Sequence, residues 1–297
     1  MTPQSLQPND RICIISPSGS INPEYIEGAI NAFTGWGLRV SEGEYARSEY
    51  GRFGGTTEQR ASDLQQALDD PDIKAVLCSR GGYGVAQIID RIDFTEFIKH
   101  PKWLIGYSDI SILHNAINNL GIESIHGVMA KQLAESPEDS EQIQGLKDIL
   151  FGKRPVYTLP GEPNNRTGKA NGKLIGGNLS VFMGLRGSNY DFNYNNAILF
   201  IEDIGEIPYK IDRMMQNLRF SGALEQLSGL IVGQFSECDE DPLMMQSVHE
   251  IIQDAVQKYD YPVCFNFPAG HIDNNLPIII GAQTELVVTK ERTTVLF

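Results

Sequence analysis

The chain has 297 residues, with 24 Lys and Arg against 38 Asp and Glu, for a formal charge of −14. A hydrophobic share of 41% and a charged share of 21% describe a globular protein rather than a disordered one. The acidic balance argues against nucleic acid as a partner, which needs a basic footprint to release counterions, and against docking on an anionic membrane.

No run approaches the ~20 apolar residues that span a bilayer. The apolar run near the start, Ile12 to Ile15, is shorter than the ~7–15 residues of a signal-peptide core. A cytoplasmic location is the expectation. Cys13, Cys78, Cys238 and Cys264 are scattered without a Cys-x-x-Cys pair, which predicts free thiols rather than disulfides or a zinc site.

The first half alternates strand and helix signals. Arg11–Ser16 is apolar and closed by Pro17, Ser18 and Gly19, so it predicts a buried strand. Pro23–Trp36 carries Ile26, Ala29, Ile30 and Phe33 at helical spacing and stops at Gly37. Leu38–Ser41 gives a second strand. Thr57 reads as the cap of a helix over Glu58–Leu68. Lys74–Cys78 is a third strand, running into Ser79-Arg80-Gly81-Gly82-Tyr83-Gly84. Val85–Ile89 and Phe94–Lys99 read as helical. Trp103–Tyr107 is a fourth strand, followed at once by a helix from Asp109 to Leu120, and Ser124–His126 is a fifth. Strands separated by helices predict an α/β domain over 1–151, with a parallel sheet covered on both faces.

Residues 152–172 are rich in Gly, Pro, Asn and Lys, lack periodicity and read as an interdomain linker. Beyond it, Lys173–Ile175 is a strand and Gly176-Gly177-Asn178 a turn into a helix over Leu179–Leu185. Ala197–Ile201 is a strand ending in Glu202 and Asp203. Ile207–Leu218 and Pro242–Tyr259 read as helices, with Leu230–Val232 a strand between them. Short β segments follow at Val263–Phe265, Ile278–Ile280, Leu286–Val288 and Thr294–Phe297. This predicts a smaller, mixed α+β domain over 173–297.

Open α/β sheets place function at the carboxyl ends of strands. Ser108 stands where strand WLIGY meets helix DISILHNAI. A serine on such a turn presents its hydroxyl outward, beside first-turn amides able to stabilise an oxyanion. Asp109-Ile110 replaces the second glycine of G-x-S-x-G, so the residue reads either as a nucleophile or as a helix cap. A serine nucleophile needs a base. His114 borders an apolar helix face and reads as structural, while His100 and His249 lie in polar helix contexts and read as solvated. His126 ends a strand. His271, in the loop after Pro268-Ala269-Gly270, reads as an aimed base or as an ordinary loop histidine. Glu202 is placed to orient an imidazole, with Asp203 on the opposite face of the strand. Gly81 and Gly82 allow backbone N–H groups to approach a ligand, but neither the P-loop nor the dinucleotide fingerprint is present.

Together these segments resemble the LD-carboxypeptidase (muramoyltetrapeptide carboxypeptidase) family of serine peptidases. The resemblance runs through ISPSG (15–19), FGGTTEQRASDL (53–64), SRGGYG (79–84), IGYSDIS (105–111), GGNL (176–179), FIEDIGEIPYKIDRMM (200–215) and FPAGHIDNNLPIIIG (267–281). One departure is Val128, where the family often has proline after His126-Gly127. The resemblance implies a flavodoxin-like N-terminal domain, a separate C-terminal domain, a homodimer and no metal or organic cofactor. It implies Ser108 as nucleophile, Glu202 as orienting carboxylate and His271 as base, with the backbone of Asp109 and of Gly81 or Gly82 as oxyanion donors.

The implied reaction removes terminal D-alanine from a cell-wall tetrapeptide, cutting after meso-diaminopimelate or lysine, during peptidoglycan recycling. Such a substrate carries carboxylates, which makes Arg80, Tyr83 and Arg213 candidates for binding it. Rival readings are a microcin C immunity-type peptidase cleaving an acyl-nucleotide amide, a hydrolase holding a metal on Glu202, Asp203 and Glu206, and a non-catalytic binding protein.

Overall fold

The computed structural model describes residues 1–238 and 241–297. It divides into two compact units, Met1–Arg154 with Asp273–Ile279, and Pro155–Ile272 with Ile280–Phe297.

The first unit runs β1 (Arg11–Ile15), α1 (Pro23–Gly35), β2 (Arg39–Glu42), α2 (Thr57–Asp69), β3 (Ile73–Cys78), α3 (Thr95–Lys99), β4 (Trp103–Gly106), α4 (Ser111–Asn119), β5 (Ser124–His126), α5 (Ala130–Glu135) and α6 (Glu141–Leu150). The chain continues through β6 (Val156–Pro160), β7 (Gly168–Asn178), α7 (Leu179–Met183), β8 (Ala197–Ile204), α8 (Pro208–Phe220), β9 (Gly229–Ser236), α9 (Val248–Val256), β10 (Val263–Cys264), β11 (Ile278–Ile280), β12 (Gln283–Val288) and β13 (Arg292–Leu296).

The first sheet has the order β11-β5-β4-β3-β1-β2, and its first five strands in the chain pair in parallel. Without β11 this is the doubly wound order 2-1-3-4-5, which reverses between β1 and β3 and leaves a crevice at the strand ends there. The central strands are continuous apolar runs because helices cover both faces of such a sheet. Ile12, Ile14, Ile15, Val76, Leu77, Leu104 and Ile105 are all fully buried.

The second sheet has the order β10-β9-β8-β7-β12-β13-β6. Its β7–β10 half is parallel and its β12, β13 and β6 half antiparallel. Leu199, Ile201, Leu230 and Val232 of the parallel half share one core with Ile211 and Met215 of α8 and Ile251 and Ile252 of α9. The antiparallel strands alternate buried and accessible residues, as half-solvated sheets do.

Several elements differ from the sequence reading. Residues 152–172, read as a linker, contain β6 and the first part of β7. β6 is the edge strand of its sheet and the first part of β7 is largely exposed, so apolar periodicity fades along both. Gly176-Gly177-Asn178 continue β7 instead of turning. Ile278–Ile280 leaves the second half and joins the first sheet beside β5. Val85–Ile89 forms separate 3-10 turns at Val85–Gln87 and Ile89–Arg91. The long helix expected over Pro242–Tyr259 is shortened to α9, because Ser247 and Glu250 form a capping box that starts it late. All four cysteines are free, and Cys13, Cys78 and Cys264 are buried. Among the described residues no helix is long and apolar enough to cross a membrane.

Thr56, not Thr57, caps α2. Its hydroxyl accepts from the Gln59 N–H, and the Gln59 side chain accepts from the Thr56 N–H at 2.8 Å. Thr56→Ala is expected to cost about 1 kcal/mol, the usual value of such a cap. Thr57→Ala, a substitution within the first turn, is expected to cost less, and urea midpoints of the two variants measure the difference.

Candidate functional site

The first unit holds a candidate serine at the end of β4. Tyr107 is still extended at φ −150°, whereas Ser108 takes the left-handed region at φ 65°. That conformation is uncommon for a residue with a Cβ and costs about 1–3 kcal/mol. It turns the chain directly from the strand into a 3-10 turn over Ser108–Ile110 and then α4. Ser108 remains partly accessible while its neighbours Tyr107 and Asp109 are buried.

The glycine turn after β3 presses against this serine. A Cβ at Gly81 would stand 2.7 Å from Ser108 Cβ and 3.0 Å from its Oγ, so only glycine permits the approach. The Gly81 carbonyl accepts from the Gly19 N–H at 3.0 Å, which joins the turns after β1 and β3. The Asp109 side chain is turned inward. Its Oδ2 accepts from Ser18 Oγ at 2.6 Å and from the Val85 N–H at 2.9 Å. Burial raises the Asp109 pKa, opposed by those hydrogen bonds and by Arg60.

The second unit holds a histidine–carboxylate pair of its own. Glu202 lies within β8 rather than after it and is fully buried. The register between β8 and β9 slips here, since Ile201 pairs with Val232 but Asp203 with Phe235. One extra residue on β9 makes a bulge, a device that re-aims neighbouring side chains. His271 Nδ1 stands 2.8 Å from Glu202 Oε2. The His271 loop is fastened to β9, for the His271 carbonyl accepts from Ser236 Oγ at 2.7 Å and the Ala269 carbonyl from the Gln234 N–H at 3.0 Å.

Burial alone would lower the His271 pKa. The hydrogen bond and charge of Glu202, with Asp203 and Glu237 behind it, outweigh burial and hold it above the ordinary histidine value. Asp203 serves a different purpose. It accepts from the Ser180 N–H at 2.7 Å and from Asn178 Nδ2 and Ser180 Oγ, both at 3.0 Å, at the start of α7. Burial raises its pKa to about 6.

The other singled-out residues have contacts within their own units. Arg80 Nη1 donates to the Ser20 carbonyl at 2.6 Å. Its side chain lines a cavity of about 370 Å³ in the first unit with Asn22, Tyr25, Tyr107, Lys131 and Gln132. Gly82 adopts φ 110°, and Tyr83 is 48% exposed beside Phe53. Arg213 lies over the Tyr209 ring at 5.6 Å.

His114 is buried between Ser124 Oγ and the Gly106 carbonyl, and burial lowers its pKa to about 4. The buried His126 ring packs 5.8 Å from that of Tyr107. His249 is not simply solvated, because its ring packs 5.1 Å from Phe265 and burial lowers its pKa. Glu206 faces Lys210 at 3.6 Å, so the three carboxylates proposed for a metal have three separate uses. Among the described residues no group of three or more His, Cys, Asp or Glu is arranged to hold a metal ion.

Arg60 escaped the sequence reading. It is 1% exposed and donates to the carbonyls of Gly55, Pro17 and Gly84. An arginine in register with Leu64 and Ala67 on an apolar helix stripe was the available signal.

A doubly wound sheet with a serine at a strand–helix turn, and a second sheet with a buried carboxylate behind a histidine, have the build of a hydrolytic enzyme. The model of the LD-carboxypeptidase N-terminal domain matches residues 12–127, and that of the C-terminal domain matches 171–286. The chain belongs to the LD-carboxypeptidase family, and is an enzyme of that peptidase class.

Its relatives include the murein tetrapeptide carboxypeptidase of Pseudomonas aeruginosa, 32% identical over 90% of each chain. The probable murein peptide carboxypeptidase of Bacillus subtilis is also 32% identical, over 99% of this chain and 93% of the relative. The crystal structure of the Oxalobacter formigenes muramoyltetrapeptide carboxypeptidase shares the fold with a TM-score of 0.88 at 24% identity, over 96% and 97% of the two chains. The microcin C7 self immunity protein MccF, in complex with aspartyl sulfamoyl adenosine, shares it with a TM-score of 0.89 at 20% identity, over 100% and 98%.

Because Glu202 outweighs burial, His271 is expected to titrate above the ordinary value of about 6.5. In Glu202→Gln its pKa is expected to fall, since burial then acts without the opposing charge. A histidine NMR titration of both proteins measures the shift and its sign.

Proposed function

We propose that the protein is a serine LD-carboxypeptidase that releases terminal D-alanine from peptidoglycan tetrapeptides, cutting after an L-centred diamino acid. The observation that carries this reading is the 2.8 Å pairing of His271 with buried Glu202 in a chain whose Ser108 occupies a strained strand–helix turn. The names of the murein-directed relatives support the substrate class.

In this reading Ser108 Oγ attacks the carbonyl of the scissile amide while His271 takes its proton. Glu202 accepts from the His271 Nδ1–H, fixing the tautomer whose Nε2 carries the basic lone pair, and it stabilises the imidazolium that forms. The backbone N–H of Asp109 and one from the Gly81–Gly82 turn receive the developing oxyanion, each such donor being worth ~2.7–4 kcal/mol of barrier. His271 then protonates the departing D-alanine amine, and water resolves the acyl-enzyme to free the tripeptide. Arg80 is the proposed partner of a substrate carboxylate, with Tyr83 and Arg213 further candidates. Recycling of cell-wall fragments in the cytoplasm, by a homodimer, is the setting this reading implies.

The test is purified protein with free and disaccharide-linked tetrapeptide, followed by mass spectrometry for loss of D-alanine. Ser108→Ala is expected to lower the rate by about 10³-fold or more. No loss with wild type, or undiminished loss with Ser108→Ala, overturns the reading, and turnover of an aspartyl-nucleotide amide instead selects the immunity-type reaction.

The pH dependence has a definite sign. Only neutral His271 can act as base, so kcat/KM is expected to rise with pH through its elevated pKa. A profile measured from pH 5 to 9 checks this, since an acid limb at or below the ordinary histidine range contradicts it.

A further inference from the structure

We infer that Asp109 and Arg60 form a buried positioning device that fixes the distance between Ser108 and the Gly81–Gly84 turn. The inference rests on Ser108 as the nucleophile and on that turn as a source of oxyanion donors.

Asp109 is covalently next to Ser108, and its backbone N–H is one of the proposed donors. Its carboxylate reaches across to the other wall, where Oδ2 accepts from the Val85 N–H at 2.9 Å and from Ser18 Oγ at 2.6 Å. Arg60 engages the same turn from its carbonyl side. Nη1 donates to the Gly84 carbonyl at 2.8 Å and to the Pro17 carbonyl at 2.9 Å. Nε donates to Gly55, and Nη2 to Gln87 Oε1 at 2.7 Å, while the guanidinium lies over the Phe53 ring at 4.9 Å.

An acid and a base, 2% and 1% exposed, therefore hold one peptide turn from its N–H and C=O sides. Arg60 and Ser18 tie that turn to the Pro17–Ser18 segment after β1, and Asp109 ties it to the serine. Burying two such groups is costly, and the hydrogen bonds they make to one peptide group are what hold it against the serine. An oxyanion donor displaced by a few tenths of an ångström no longer meets the charge that develops on the carbonyl oxygen, so the chemical step weakens while substrate affinity stays nearly intact.

The experiment compares Asp109→Asn, Ser18→Ala and, as control, Asp63→Asn. Asp63 is a second buried acid of the same unit, 3% exposed, whose Oδ2 accepts from the Tyr45 N–H at 2.9 Å. Three quantities are read for each: kcat, KM, and the rate at which a fluorophosphonate labels Ser108. In that labelling the serine oxygen bonds to phosphorus, fluoride leaves and the hydroxyl proton passes to the base. Asp109→Asn is expected to lower kcat and the labelling rate together by at least tenfold, with KM within about threefold of wild type. Ser18→Ala should lower both by about threefold or more, while Asp63→Asn should lose thermal stability yet keep both within twofold.

Equal kcat and labelling in Asp109→Asn and Asp63→Asn overturns the inference, as does a loss confined to KM. Should Asp109→Asn fail to fold, Ser18→Ala decides, and wild-type kcat and labelling in it refute the device. Wild-type protein that takes no label at Ser108 refutes the nucleophile reading and this inference with it. Labelling of wild type and variants at one rate refutes the inference alone.

Discussion

The left-handed turn at Ser108 is the constraint around which the first unit is arranged. Holding a β-carbon in that conformation costs energy that the surroundings must supply. The apolar strand Trp103–Gly106 anchors one side and α4 the other. Gly81 can then be nothing larger, because its backbone fills the space against the serine. The β1 and β3 turns are held to this arrangement through hydrogen bonds of Gly19, Ser18 and Asp109. The order of the sheet brings those three strand ends together, and the hydrogen bonds determine how closely.

The second unit shows how two adjacent carboxylates acquire different chemistry. Glu202 and Asp203 are neighbours on one strand and both are buried. Alternation along the strand, sharpened by the β9 bulge, directs one toward His271 and the other toward the start of α7. Burial raises the pKa of Asp203 against the hydrogen bonds it receives from neutral groups, while Glu202 faces an imidazole and raises the pKa of that partner. A residue's role here follows from which side of the pleat it occupies.

The sequence made the first sheet legible because parallel strands covered on both faces must be continuous apolar runs, and Arg11–Ile15, Ile73–Cys78 and Trp103–Gly106 are such runs. Ser108, Glu202 and His271 were visible as polar residues at or beside the ends of strands and loops with restricted backbones. The strand over 156–160 and the part of β7 before Lys173 were hidden because edge and half-solvated strands carry Lys, Asn, Pro and Gly, the residues of loops. The network around Asp109 was hidden for another reason. Its members come from Pro17–Ser18, Gly55, Arg60 and Gly84–Val85, and only the folded sheet brings those segments together. A buried arginine also looks, in a helix sequence, like one more exposed charge.

The late strand Ile278–Ile280 has a consequence for how the chain is made. The first sheet begins at Arg11, yet its sixth strand, Ile278–Ile280, is synthesised only after the intervening residues 155–272 of the second unit. Until then β5 is a sheet edge with its backbone groups unpaired on one side, and such edges invite pairing with other chains. The edge is short, only three residues, which limits what a foreign strand could gain there. The protein thus keeps its vulnerable border small for the whole period in which its own covering strand has yet to be synthesised. For the same reason, a fragment ending at Arg154 would lack a strand of the sheet that it otherwise contains.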